Sequence, residues 1–373
     1  MTAPDPAWGA ALARQTARVR ATLAARPDGF PHYADPATGA WTTTADGFWT
    51  GGFWAGMLWL AARYEGDTAL AAEAARWTAR LEGKLATRSI FRAFLFWYAG
   101  VAGAAIGGDA SARDLALRAA RAIAAGYDGR AGLIPLGVEA EEAHTVGNDE
   151  SNIDGLIATP LLLWAARETG DGDMRRVALA HARRNAEFCV QADGSVIQSA
   201  SFDRATGAVI RRYTHKGYAG DSIWTRAQAW PMLFYALAAR LAPEEPDLLA
   251  LADTVTQWWL ANVPADRVAY WDFSAPRTPG TRRDTSGTAI AAAAMLKLAA
   301  RHPDPARAAQ YREAAAATVR VLAERHLKDS GLLADGCFDP NNGTAVAHEL
   351  IWGSYFLYEA LGVLAGKLPA DAI

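Results

Sequence analysis

Residues 53–77 read FWAGMLWLAARYEGDTALAAEAARW, two apolar-periodic stretches joined by the short turn Glu65-Gly66-Asp67. On both sides of the turn, apolar side chains recur at intervals of three and four residues, which is the period of an α-helix. Glycine ends a helix easily because it adopts positive φ without strain, and aspartate is a favoured cap for the helix that follows. The stretch therefore predicts a helical hairpin.

The same pattern extends along most of the chain. We predict twelve helices, with ends uncertain by a few residues, at 6–26, 49–64, 68–84, 91–106, 110–126, 153–168, 172–193, 223–241, 246–263, 285–301, 304–327 and 345–366. Four more tight turns are Gly107-Gly108-Asp109, Gly170-Asp171, Pro243-Glu244-Glu245 and His302-Pro303-Asp304. Strands are expected only as short hairpins in loops, for example around residues 196–210.

The tight turns alternate with connections that are mostly longer, near residues 27–48, 85–90, 127–152, 195–222, 264–284 and 328–344. Twelve helices with this alternation form six αα-hairpins, so we predict an all-α fold, an (α/α)6 barrel. The whole of residues 1–373 would form one domain, with the long loops gathered at one end. An α-solenoid is the structural alternative, although the uneven spacing of the turns does not fit a repeat of fixed period.

The composition excludes several classes of function. With 51% hydrophobic residues and a net charge of -3, the chain can build a large core and lacks the charge expected for nucleic-acid or membrane-surface binding. There is no signal peptide and no apolar run long enough to span a bilayer, so we expect a cytoplasmic protein without a membrane partner. Two cysteines and seven scattered histidines predict neither a disulfide framework nor a metal site, and no other cofactor is indicated.

Chemically rich segments cluster in and beside the long loops, at residues 48–54, 148–154, 214–218, 224–230, 270–273, 282–286, 335 and 348. Each has a simpler explanation. Asp154 could be a first-turn acid favoured by the helix dipole, and Asp284 is most simply an N-cap. Arg226 and Trp230 lie four residues apart and could form a cation–π pair, and His215 could be an ordinary loop histidine. Their convergence on one rim nevertheless indicates a site.

Five segments carry a resemblance to a known family: FWTGGFWAGMLW, SNIDGLIATPLLLWAARETGD, THKGYAGDSIWTRAQAW, YWDFSAPRTPGTRRDTSGTAIAA and HELIWGSYFLYEAL, in order between residues 48 and 361. The chain resembles the unsaturated glucuronyl hydrolases, glycoside hydrolase family 88. The IDGL segment is also similar to the unsaturated rhamnogalacturonyl hydrolases, family 105. The resemblance implies an (α/α)6 barrel that needs no metal. It also implies removal of a Δ4,5-unsaturated uronic acid from a small, anionic oligosaccharide or glycoside, with the oligomeric state left open.

The resemblance also assigns roles. Asp154 matches the acid/base that protonates C4 of the enol ether and activates the water that adds at C5, a task that needs a raised pKa. His215 matches the histidine of the T-H-x-G-Y loop and is the second candidate catalytic residue. The candidate substrate contacts are the stacking Trp49, Lys216, Arg226 with its bidentate fork, Gln228, Trp230 and Trp271.

The sequence departs from the family pattern in two respects. Ile90 and Phe91 stand where the family has a His-Asp pair, so its second important acid is missing, and Lys216 stands where glutamine is common. The exchange of an acid for a cation favours an anionic substrate. Asp149 and Glu150 are candidate replacements for the acid, the simpler view being that they are solvated loop residues. Two alternatives stay open: a different reaction on the same scaffold (hydrolysis of a saturated glycoside, a lyase or an isomerase), or carbohydrate binding without turnover.

Overall fold

The computed structural model describes residues 5–143 and 150–373 of the chain. Its helices are α1 (Pro6–Ala24), α2 (Gly51–Glu65), α3 (Thr68–Ala79), α4 (Arg92–Leu95, continuing through the π-helical Phe96–Val101 into Ala102–Gly107), α5 (Ala110–Ala124), α6 (Ala158–Thr169), α7 (Gly172–Cys189), α8 (Thr225–Leu241), α9 (Pro246–Asn262), α10 (Thr285–Arg301), α11 (Pro305–Val321) and α12 (Ile351–Leu364). The described residues thus contain the twelve helices that the sequence predicts.

The even-numbered helices form an inner ring and the odd-numbered helices surround it. Each inner helix packs on the next, and α12 packs back on α2, which closes the ring. Residues 285–299 of α10 and 351–362 of α12 are entirely buried, because an inner helix meets other helices on all sides. Outer helices such as α5 bury one face only. The predicted (α/α)6 barrel is confirmed, and no helix in the described ranges is long and apolar enough to cross a membrane.

The tight turns have the chemistry that the sequence predicts. Gly66, Gly108 and Gly170 all have positive φ, between 64° and 73°, where a side chain would be strained. The aspartate that follows each glycine accepts backbone N–H groups of the next helix. These turns close one end of the barrel, so the long connections lie at the other end.

Two small sheets at the long-loop end differ from the prediction. Strands β1 (Phe30–Ala34), β2 (Trp41–Thr44) and β6 (Glu349–Leu350) form one antiparallel sheet in the order β2-β1-β6. Strands β3 (Glu150–Asn152), β4 (Ser199–Phe202) and β5 (Val209–Tyr213) form the other, in the order β3-β4-β5. Short hairpins in the loops were expected, with residues 196–210 as the example, and β1–β2 and β4–β5 are such hairpins; β3 and β6, of three and two residues, are too short to show an alternating pattern. The 3-10 turn Ile153–Ile157 delays the start of α6 relative to the prediction, and the strand β6 precedes the later start of α12.

Candidate active site

A cavity opens among the long loops at the ends of the inner helices. The space between atoms there, which includes the opening to solvent, is about 320 Å³. Its wall consists of aromatic rings and five charged or ionisable side chains. The lining residues are Trp49, Phe91, Phe94, Glu141, Glu142, Asp154, Lys216, Trp224, Arg226, Trp230 and Phe338.

Asp154 lies in a single 3-10 turn, Ile153–Ile157, directly after β3. The side chain of Asn152 caps this turn and accepts the backbone N–H of Asp154 at 2.9 Å. The Asp154 carboxyl is buried, and its Oδ1 has no hydrogen-bond partner among the described residues. Burial raises the pKa of this carboxyl well above its ordinary value, and the negative charge of Glu142 raises it further, against the opposing effect of Lys216. The neutral, proton-bearing form of Asp154 is therefore favoured, and no described group bonds to its Oδ1.

Two acids that sequence reasoning missed, Glu141 and Glu142, line the same cavity. Glu142 is buried; it accepts the Asn152 amide at 2.8 Å and lies 3.3 Å from the Lys216 ammonium. Burial opposes its ionisation, but the interactions with Lys216 and His215 together outweigh this and lower the pKa of Glu142 to about 2. Of the two cavity acids Asp154 and Glu142, one is thus held neutral and the other charged, a division of states typical of acid–base sites.

Lys216 and His215 come from the loop that follows β5. The Lys216 ammonium lies 2.9 Å from Glu141 Oε1, and His215 Nε2 lies 3.4 Å from Glu142 Oε1. Burial alone would lower the pKa of Lys216, but Glu141 and Glu142 together raise it above its ordinary value. Asp272 anchors this loop, because its carboxylate accepts the backbone N–H of Tyr218 at 2.9 Å. The two residues are thereby fixed beside the cavity acids.

Trp49 follows a tight turn in which Gly47 and Phe48 both have positive φ. Its indole N–H donates to Glu141 Oε2 at 2.9 Å, and its ring packs against Phe94 at a centroid distance of 5.3 Å. The partly exposed ring is thus held at a fixed angle on the cavity wall, which is the arrangement a stacking contact with a sugar face requires.

Arg226 lines the cavity, but much of its hydrogen-bonding capacity is directed into the protein. Its Nη1 donates to Asp284 Oδ2 at 2.8 Å and to the backbone carbonyl of Cys337, and its Nη2 donates to the carbonyl of Phe338 at 2.6 Å. The guanidinium stacks on Trp224, 4.3 Å from the ring centroid. A bidentate grip on a uronate through both terminal nitrogens would compete with these bonds.

Trp230 contributes to an apolar wall. It stacks on Phe234 with an interplanar angle of 5° and meets Phe94 edge to face. The nearest cation–π partner of Arg226 is thus Trp224, with Trp352 at 5.7 Å and Phe338 at 5.8 Å, and the pair with Trp230 that the spacing suggested is not among those formed. Asp284 is an N-cap as expected, since it accepts the Ser286 N–H at 3.0 Å, and it is also the counter-ion of Arg226.

Three other candidates lie away from the cavity. Gln228 is fully buried, and its amide donates to the backbone carbonyls of Gly194 and Val255, both at 3.0 Å. Trp271 is buried, and its backbone carbonyl accepts the Thr225 N–H at 3.2 Å; Glu150 lies in β3 with its carboxylate beside Tyr213. None of the three is among the residues that line the cavity. Asp149 lies outside the described residues.

Residues 5–143 and 150–373 contain no group of three or more histidine, cysteine, aspartate or glutamate side chains arranged to hold a metal ion.

Known proteins resemble the chain over most of its length. It is 35% identical over 354 residues to the unsaturated glucuronyl hydrolase of Bacillus sp. strain GL1, a match that covers 90% of both chains. The chain belongs to the unsaturated glucuronyl hydrolase family. A second relative, the unsaturated chondroitin disaccharide hydrolase of Streptococcus agalactiae, is 30% identical over 335 residues, covering 86% of this chain and 80% of that protein. None of the protein-family models searched matches the chain.

Solved structures of this family share the fold closely. One of them, a variant of unsaturated glucuronyl hydrolase with an Asp-to-Asn substitution in complex with dGlcA-Glc-Rha-Glc, superposes with a TM-score of 0.89. It is 33% identical in sequence, and the alignment covers 96% of both chains. The family's barrel is therefore present here almost in full.

Phe91 lines the cavity at the position where the resemblance predicts the family's second acid. The expected loss of negative charge does not follow, because Glu141 and Glu142 supply two carboxylates from a different loop. The sequence signal for them was only a run of acids, EAEEA at residues 139–143, in a connection at the barrel end that also carries Asp154.

Proposed function

We propose that this protein is a glycoside hydrolase that removes a Δ4,5-unsaturated uronic acid from the non-reducing end of a small oligosaccharide or glycoside. One observation carries the proposal: Asp154 is buried in the wall of this cavity with a raised pKa, and its Oδ1 has no hydrogen-bond partner among the described residues. A neutral carboxylic acid is the form that can donate a proton, and a raised pKa keeps that form present near neutral pH.

The reaction that fits this acid is hydration of the enol ether. Asp154 donates its proton to C4 of the substrate, and the positive charge that develops at C5 is shared with the ring oxygen. A water molecule adds at C5 and returns a proton to the Asp154 carboxylate, so the acid is regenerated. The hemiketal at C5 then opens, the freed hydroxyl at C1 forms a carbonyl group there, and the glycosidic bond breaks to release the aglycone. One water is consumed, and one carboxyl group serves both proton transfers.

The other cavity residues have roles that follow from their contacts. Trp49 supplies a flat apolar face for the sugar ring, and Trp230 and Phe91 form the apolar wall. Lys216 has three N–H donors, and two carboxylates lie within 3.3 Å of its nitrogen. The third N–H donor of Lys216 binds the carboxylate of the uronic acid, which favours an anionic substrate. His215 lies beside Glu142 and helps to hold the carboxylate of that residue in place.

The proposal extends to the molecule as a whole. We infer that residues 1–373 form one catalytic domain, because the inner ring of helices closes on itself between α12 and α2. A cytoplasmic location is supported by Cys189 and Cys337, which are both buried and unpaired.

The test uses an unsaturated disaccharide and its saturated counterpart. Wild-type protein is expected to bleach the ultraviolet band of the conjugated enol acid and to leave the saturated disaccharide intact. In D2O, early NMR spectra should show one deuterium at C4 of the released sugar, as proton transfer to that carbon requires. Cleavage of the saturated disaccharide, or release of the aglycone without deuterium at C4, contradicts the proposal.

A further inference from the structure

Glu142 is a buried acid of the cavity wall with a cation and an amide donor next to its carboxylate. It is 4% exposed, and both of its carboxylate oxygens are engaged. Oε2 accepts the Asn152 amide at 2.8 Å, while Oε1 lies 3.3 Å from the Lys216 ammonium and 3.4 Å from His215 Nε2. A buried carboxylate is costly unless it is paired and hydrogen-bonded, and this one is provided with a cation and a fixed amide.

The contact with Asn152 connects Glu142 to the proposed catalytic turn. Asn152 donates its amide N–H to Glu142 and, through its Oδ1, accepts the backbone N–H of Asp154 at 2.9 Å. One side chain thus joins the loop of Glu142 to the turn of Asp154, and both carboxyl groups line the same cavity. The position of each acid relative to the other is therefore set by a hydrogen-bonded link and not by loop packing alone.

We propose that Glu142 is a positioning residue for the reaction, a fixed buried negative charge that acts on the substrate through Asp154. This rests on the proposed function. The inference deepens that proposal, because the loop at residues 139–143 then supplies a partner acid for Asp154 in place of the acid that is absent at Phe91. Glu142 is not itself the proton donor, because Lys216 keeps it ionised.

The electrostatic consequence has a definite sign. Within the described chain, the charged groups that act most strongly on the Asp154 carboxyl are Glu142, Lys216, Arg226 and Glu141. The Cys189 thiol is also close, and burial raises its pKa to about 12, so it carries no charge near neutral pH. Removing the charge of Glu142 takes away a repulsion and leaves Lys216 less compensated. Both effects favour ionised Asp154, so its midpoint of titration should move to lower pH.

The experiment compares the wild type with Glu142→Gln, Glu142→Asp and Glu139→Gln. Glu139 is the matched control: it lies on the same loop and accepts the Arg88 backbone N–H, but its side chain is 50% exposed and is not part of the cavity. The protonation of Asp154 is followed in the ligand-free protein by infrared spectroscopy with labelled aspartate. The carboxylic C=O band that disappears in Asp154→Asn identifies the residue.

The expected result is a midpoint lower by roughly one pH unit or more in Glu142→Gln and unchanged in Glu139→Gln. Glu142→Asp retains the charge and should show a smaller shift, which keeps the test informative if the glutamine variant folds poorly. The alkaline limb of the pH profile of kcat/KM should move by the same amount as the infrared midpoint. An identical midpoint in the wild type and in both Glu142 variants overturns the inference. If the wild type consumes no unsaturated uronide, the proposed function fails, whereas the infrared midpoints still decide the effect of Glu142.

Discussion

The buried ion pair between Arg226 and Asp284 gives a prediction whose size follows from the structure. The two side chains are 2% and 0% exposed, and the pair joins α8 to the start of α10. The substitution Asp284→Asn preserves the shape of the side chain and its capacity to cap α10, but it removes the counter-charge of a buried guanidinium. Breaking a buried pair in this way costs about 3–5 kcal/mol.

This cost converts into a change in melting temperature. At roughly 2.1 cal/mol/K per residue, the entropy of unfolding of 373 residues is about 0.8 kcal/mol/K. The expected decrease in Tm is therefore about 4–6 °C. Differential scanning calorimetry at neutral pH measures it directly.

The matched control is Asp304→Asn. Asp304 caps α11 in the same way, by accepting the Ala306 N–H at 2.8 Å, but it is exposed. Asparagine caps a helix about as well as aspartate, so the control should change Tm by about 1 °C or less. If Asp284→Asn lowers Tm no more than the control does, Arg226 does not depend on this pair, and the structural role assigned to it is wrong.

Three further changes test other parts of the site. Trp49→Phe removes the indole N–H donated to Glu141 and replaces the indole with a smaller phenyl ring. KM should rise about 2–10-fold, the loss of one hydrogen bond, with kcat nearly constant in steady-state assays; an unchanged KM contradicts the role of that bond. Gln228→Leu leaves two buried carbonyl groups without their donor, so urea unfolding should show a loss of about 1–3 kcal/mol of stability. The value of kcat/KM should stay near that of the wild type; a selective loss of activity would show that Gln228 acts in the substrate site. Burial raises the pKa of Cys189 and Cys337 to about 12, so neither should react with a thiol reagent at pH near 8 until the protein is denatured, and rapid labelling of the native protein would contradict their burial.

The helical part of the fold was predictable because its signals are local. Gly66, Gly108 and Gly170 each combine with a following aspartate to end one helix and begin the next, and three or four residues suffice to recognise the pattern. The sheets depend on partners that are far apart in sequence: Tyr33 pairs with Leu350. No local pattern in a strand of two to five residues carries that information.

The site was predictable where a motif supplied it and not elsewhere. Asp154 and Trp49 were found from their sequence context, and the structure brings both to one cavity. Glu142 was missed because it lies in a long loop without periodicity, and its partners Asn152 and Lys216 are 10 and 74 residues away along the chain. Gln228 was misjudged because helical position alone does not show whether a polar side chain meets a cavity or a backbone carbonyl.

The role of Asp154 is tested most directly by Asp154→Asn, assayed on an unsaturated disaccharide with its melting temperature measured in parallel. Burial favours the neutral form of the carboxyl, and its Oδ1 has no hydrogen-bond partner among the described residues, so the asparagine variant should fold with a Tm within about 2 °C of the wild type. Loss of the proton donor should reduce kcat by about 10²–10⁴-fold. A folded Asp154→Asn variant that retains more than about a tenth of the wild-type kcat would contradict the assignment of proton transfer to Asp154.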